Sequence, residues 1–164
     1  MKIIFLDVDN VICTERYNLV SENIWRDFDP VACKIILRLC KKTGAKIVLS
    51  SSLGLADWSF EEFIKSIDKA CPELKEHFYE NDFRVLKGRN FKLARNQLIK
   101  AWLREHDEVE NYVIIDDVLS YTVSHKDALY KDKHLVLCHE YDGIGFEEYC
   151  RALEILKEVN NDIY

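Results

Sequence analysis

No stretch of this chain is apolar for long enough to cross a bilayer. The longest apolar runs, IIFL, YVII and HLVLC, are each of strand length, whereas a membrane helix needs about 20 such residues. The first residues, MKIIFLDVDNVI, do not read as a secretion leader, because two aspartates interrupt the apolar stretch and no small-residue cleavage site follows. The six cysteines form no C-x-x-C pair, which argues against a zinc ribbon or a dithiol redox motif. No G-x-x-x-x-G-K-S/T phosphate loop occurs, and Gly143-Ile144-Gly145 is too short for a dinucleotide loop. A nucleotide-driven motor or kinase is therefore not expected. The sequence also has no internal repeat, no low-complexity tract and no linker.

What remains is a chain of 164 residues, 48% hydrophobic and 32% charged. That is enough for one cored domain, expected over residues 1–164, and too little for two. The net charge of −6 disfavours broad, non-specific binding to nucleic acid. One segment runs the other way. From Asn81 to Lys100 the basic residues are Arg84, Lys87, Arg89, Lys92, Arg95 and Lys100, against a single acid, Asp82. It reads either as a solvated helix face or as a wall that attracts anions. Cys33 and Cys40 lie two turns apart on one expected helix and read as small core residues, in keeping with a reducing, cytoplasmic compartment. His134, Cys138 and His139 lie in and just after an expected strand, where alternation sends neighbours to opposite faces. A metal site there is not expected.

Strand-type and helix-type patterns alternate. Lys2–Asp7 is a continuous apolar run ending in a carboxylate, as in a buried parallel strand. Asn10–Asp27 is mixed and polar and reads as a loop or small flap. Asp29-Pro30 then opens a helix with Val31, Ile35, Ile36 and Leu39 as its apolar stripe, and Gly44 ends it. Lys46–Leu49 is the second strand, followed by three serines. Ser59 with Glu62 forms a capping box for a helix from Phe60 to Ala70. Pro72 breaks it, and Glu73–Tyr79 is a further helical piece. Phe83–Leu86 is a short candidate strand. Phe91–Glu105 is a helix burying Leu98, Ile99 and Trp102. Tyr112–Asp116 and His134–Cys138 are the last strands and Phe146–Val159 the last helix. This order predicts a three-layer, Rossmann-like α/β domain with a mainly parallel sheet of about five strands and a minimal cap. Ligands in such folds bind beyond the carboxyl ends of the strands.

The unusual polar residues fall at those ends: Asp7-Val8-Asp9, Ser50-Ser51 and Asp116-Asp117, with Lys92 and Arg95 on the helix between. Carboxylates crowded on one sheet edge repel and need protonation or a cation. Oxygen-only ligands suit Mg²⁺, which takes few carboxylates and completes its shell with water and substrate phosphate. Such an ion screens the phosphate so that an anionic carboxylate can reach phosphorus. A carboxylate nucleophile forms an aspartyl phosphate and splits hydrolysis into two steps. A second carboxylate two residues on can protonate the leaving oxygen and then activate water. A serine hydroxyl and one cation would hold the other phosphoryl oxygens.

FLDVDNVI, LSSS and YVIIDD, in that order and each after an apolar strand, resemble the signature motifs of the haloacid dehalogenase (HAD) superfamily of phosphohydrolases. FDPVACKIILRLCKKTGAKIVLSSS and RNQLIKAWL further resemble a small, nearly capless subgroup, whose domains also occur inside nucleic-acid-repair proteins. The resemblance implies Asp7 as nucleophile and magnesium ligand. It implies Asp9 as general acid/base, with its backbone carbonyl on the metal, and Ser50 as phosphate-binding. Asp116 would complete the metal site, with Asp117 acting directly or through water. Lys92 or Arg95 would neutralise phosphate; the RNQLIKAWL resemblance favours Arg95, and general superfamily usage favours a lysine. The chain departs from the pattern in three places. Asn10 stands where glycine or threonine is commoner, and Asn tolerates the left-handed turn. Ser52-Leu53-Gly54 replaces Ser-Trp-Arg, and Thr-Pro is missing before Arg95.

The expected activity is a Mg²⁺-dependent phosphomonoesterase working on a phosphorylated small molecule or a nucleic-acid end, with no membrane partner. A phosphoryl-accepting switch domain of receiver type is the first alternative; it would carry its paired acids on the first strand and its phosphorylated aspartate on a middle strand, and the serine-ended second strand and late acidic pair of this chain argue against it. A non-catalytic interaction domain on the same fold is the second. Tyr17, Trp25 and Phe28 read as packing for the flap rather than as a stacking surface.

Overall fold

The computed structural model describes residues 1–23, 27–51, 60–80, 83–85, 94–117, 131–139 and 141–158. Four strands are seen among them: β1 (Lys2–Leu6), β2 (Lys46–Leu49), β3 (Asn111–Asp116) and β4 (Leu135–Leu137). They form one sheet in the order β2-β1-β3-β4, and every pairing is parallel. The helices are α1 (Glu15–Asn18), α2 (Pro30–Thr43), α3 (Phe60–Ala70), α4 (Arg95–Arg104) and α5 (Phe146–Lys157), with a 3₁₀ turn at Pro72–His77.

The two faces of the sheet explain the layers. Ile4 and Leu6 of β1, Ile47 and Leu49 of β2, Val113 and Ile115 of β3 and Val136 of β4 share one core with residues of α2, α3 and α5. The alternate positions Ile3, Phe5, Val48, Tyr112 and Ile114 share the other with Leu98, Ile99, Trp102 and Leu103 of α4. A strand buried on both sides must be apolar at every position. That is why IIFL and YVII read as unbroken runs. Trp102 is fully buried and meets Phe5 edge-on at 5.4 Å, an aromatic geometry favoured by the ring quadrupole.

Among the described residues the sheet has four strands, one fewer than the expected five. Phe83–Val85 runs beside β2 but makes only an isolated parallel bridge, Leu49 to Arg84. Its ladder bonds are Leu49 N to Phe83 O at 2.6 Å and Val85 N to Leu49 O at 3.0 Å. One bridged pair is too short to count as a strand, and Leu86 lies outside the described residues. In place of the helical piece expected over Glu73–Tyr79 there is a tighter 3₁₀ turn, Pro72–His77, and Phe78 is already extended. The α2 stripe is also shifted. It runs through Ala32, Cys33, Ile36, Leu37, Leu39 and Cys40, with Ile35 packed partly against it, while Val31 is exposed. Val31 lies on the side of Lys34 and Arg38, roughly a quarter-turn or more from the buried line. The capping serine expected at Ser59 lies outside the described residues.

The expected flap contains a short helix and is tied down. Asp29, the buried cap of α2, accepts from Val31 N at 2.8 Å and Ala32 N at 3.4 Å. It also accepts from Thr14 Oγ1 at 3.0 Å and Arg16 Nε at 2.9 Å. Asp27 pairs with Lys69 at 2.8 Å and takes a bond from Ser21. Phe28 is buried against Phe63, as the packing reading expects; Trp25 lies outside the described residues. All six cysteines are free thiols and five are buried. Burial pushes the Cys13 and Cys40 thiols up to about 12, so they behave as small apolar groups. No helix among the described residues is long and apolar enough to cross a membrane.

Because one carboxylate caps α2 and anchors two flap residues, Asp29→Ala should cost about 2 kcal/mol, the upper range for a lost cap. A two-state urea titration of both proteins checks this.

Candidate active site

Parallel strands in register point matching residues to the same face. Leu6 pairs with Leu49 on one side and with Ile115 on the other. The next residues, Ser50, Asp7 and Asp116, therefore stand side by side at the carboxyl edge. The ladder holds their backbones: Ser50 N donates to Leu6 O at 2.9 Å, Asp7 N to Ile115 O at 3.0 Å, and Cys138 N to Asp116 O at 2.9 Å. By alternation these three residues continue the line of Val48, Phe5 and Ile114, the face covered by α4. Arg95, in the first turn of α4, meets them there.

The Arg95 guanidinium contacts both acids through one nitrogen, 2.8 Å from Asp7 Oδ2 and 2.6 Å from Asp116 Oδ2. All three side chains are buried. Burial works to lower the Arg95 pKa, but the charges of Asp7 and Asp116 and its bonds to them raise it above its ordinary value. The arginine is thus held as a cation against both carboxylates. Asp7 Oδ1 accepts from Val8 N at 2.9 Å, so the Asp7 carboxylate is gripped at both oxygens.

Asp117 joins them. Asp7, Asp116 and Asp117 each offer a carboxylate oxygen, and these lie within 4.8 Å of one another. Carboxylates at this spacing repel unless cations intervene. Among the described residues Arg95 is one such cation; Lys92 lies outside them. The donor set is oxygen only, which fits Mg²⁺. Two buried polar atoms on the same rim, Ser50 Oγ and Asn10 Oδ1, have no hydrogen-bond partner among the described residues. A hydrated cation with a phosphate would supply donors and acceptors for such atoms.

Asp9 is exposed and stands outside the trio. Although the residue as a whole is exposed, desolvation of its carboxyl beside the rim, then the charges of Asp7 and Asp117, raise its pKa above the usual carboxylate value, with Arg95 opposing. A raised carboxyl holds a proton more readily, the property a general acid needs. The turn that carries it is closed on itself: Val8 O accepts from Ile12 N at 3.0 Å and Cys13 N at 2.9 Å, and Asn10 N donates to Cys13 O at 2.9 Å. Asn10 has φ 54, the left-handed geometry expected of it.

Two contacts were not anticipated from the sequence. Asn10 Nδ2 donates to Asp117 Oδ2 at 2.8 Å, so the turn residue also touches the acid pair. Gly143 (φ +66) presses the loop after β4 against this turn, and Ile144 N donates to Val11 O at 3.1 Å. A Cβ on Gly143 would collide with Val11 O and Thr14 Cγ2. His134 is engaged elsewhere, with Asp132 at 3.0 Å and stacked on Tyr112. Ser51 is buried beside Ser50. Lys87 and Arg89 lie outside the described residues.

A family model described as the HAD domain in Swiss Army Knife RNA repair proteins matches residues 3–148. No curated protein and no solved structure matches the chain.

Removing the shared cation while keeping an unbranched side chain, as in Arg95→Met, leaves two buried carboxylates facing each other. The expected loss is about 3 kcal/mol, typical of breaking a buried pair from one side. Denaturant unfolding in a chelator-treated, metal-free buffer measures it.

Proposed function

Because the chain belongs to the family of HAD domains in Swiss Army Knife RNA repair proteins, we propose that it is a Mg²⁺-dependent phosphomonoesterase acting through an aspartyl phosphate. One observation carries this reading: Asp7, Asp116 and Asp117 converge within 4.8 Å on the strand-end rim that Ser50 shares. The order of motifs along the chain supports the division of labour.

Asp7 is the nucleophile. Its pairing with Arg95 holds the carboxylate in one orientation. In the first step an Asp7 oxygen bonds to phosphorus, the bond from phosphorus to the leaving oxygen breaks, and Asp9 delivers a proton to that oxygen. In the second, Asp9 takes a proton from water, the water oxygen bonds to phosphorus, and the bond to Asp7 breaks to release phosphate. Ser50 Oγ and Arg95 hold the non-bridging oxygens as charge builds on them. Asp7, Asp116, Asp117 and the Asp9 backbone carbonyl would hold Mg²⁺. When bound, that ion supplies charge neutralisation at the phosphoryl group.

The substrate we infer is a phosphate at a nucleotide or nucleic-acid terminus. The flap is small and fastened by Asp29 and Asp27, which favours an accessible site. The family description points to RNA repair. Arg84, from the basic stretch, is paired with Leu49, the residue before Ser50.

The protein with Mg²⁺ should hydrolyse an aryl phosphate, and chelation should stop it until Mg²⁺ is returned. Asp7→Asn should lower kcat by about a thousand-fold or more, as loss of a covalent nucleophile does, with an unchanged circular dichroism spectrum. Full activity in Asp7→Asn eliminates the nucleophile assignment. Phosphate-ended oligonucleotides should exceed mononucleotides in kcat/KM, and equal turnover counts against a polymer substrate.

A further inference from the structure

Asn10 is the only residue other than glycine with positive φ among the described residues. Glycine would take that backbone at less cost, so the turn alone does not explain an asparagine. Its side chain has its own task. The amide Nδ2 donates to Asp117 Oδ2 at 2.8 Å, linking positions 107 residues apart. The reverse amide orientation would set an oxygen against the carboxylate, so chemistry fixes which end faces Asp117. The opposite end, Oδ1, is buried with no partner among the described residues. It is an acceptor on the same rim, suited to a water carried by a hydrated divalent ion.

A neutral amide does something that a lysine or arginine cannot. It fixes the rotation of the Asp117 carboxylate without cancelling its charge, leaving that charge for the cation. Groups that orient a metal ligand in this way typically govern affinity by 10- to 100-fold. We propose that Asn10 is a positioning residue that sets divalent-cation affinity by orienting Asp117. The inference rests on the reading of the acid trio as a magnesium site.

The test is a double-mutant cycle on Mn²⁺ affinity, read by electron paramagnetic resonance or calorimetry without substrate. Asn10→Gly removes the amide while suiting the positive φ, so the fold should persist. It should weaken Mn²⁺ binding about 10-fold. Asp117→Ala should weaken it as well, and the double variant should bind no more weakly than Asp117→Ala alone, because Asn10 acts through that residue. Unchanged affinity in Asn10→Gly overturns the inference, and so do losses that multiply in the double variant. Failure of the unsubstituted protein to bind Mn²⁺ overturns the inference together with the phosphatase reading. Mn²⁺ binding that survives beside an active Asp7→Asn variant counts against the nucleophile alone.

Discussion

The parallel register at the carboxyl edge of β1 is the constraint on which the site depends. Leu6 is bonded between Leu49 and Ile115, and the next residue of each strand inherits that alignment. Three side chains from distant parts of the chain stand on one face at strand spacing, about 4.8 Å. No loop has to be ordered to bring them together. A slip of one residue in β1 would send Asp7 to the opposite face, among α2, α3 and α5. The hydrophobic pattern that prevents the slip is therefore also what aims Asp7.

Electrostatics and packing share one helix. α4 covers its face of the sheet with Leu98, Ile99, Trp102 and Leu103, and its first turn delivers Arg95 between Asp7 and Asp116. Burial makes like-charge repulsion among carboxylates costly and makes attraction to a guanidinium strong. The apolar anchoring of α4 thus holds in place the cation that lets the acids sit so close. The opposite face, with α2 and α5, supplies core and carries none of these charges.

Much of this was legible because it follows from periodicity. Unbroken apolar runs ending in Asp7 and Asp116 mark buried parallel strands, and the positions after them mark the edge where polar groups gather. Asp29-Pro30 and Gly44 bound α2 as their backbone preferences require. Between Lys92 and Arg95 sequence spacing left the choice open, and the structure brings Arg95 to the acids. Alternation would have pointed there, since Asp7 and Asp116 share parity with Phe5 and Ile114. What the sequence hid were contacts between segments far apart. Nothing in the letters around Asn10 names Asp117, and nothing around Gly143 names Val11. The fifth strand failed because Phe83–Val85 has strand-like composition but bridges β2 at one position only.

The close approach of Gly143 to Val11 and Thr14 ties the far edge of the sheet to the turn that follows Asp7. A residue with any side chain there would have to pry the two loops apart and disturb the bend that carries Asp9. This junction is shut to elaboration, and so is the flap on its other side, fastened by Asp29. A lineage that needed a broader roof over its substrate would have to grow it from other connections, leaving this corner as the unaltered keystone.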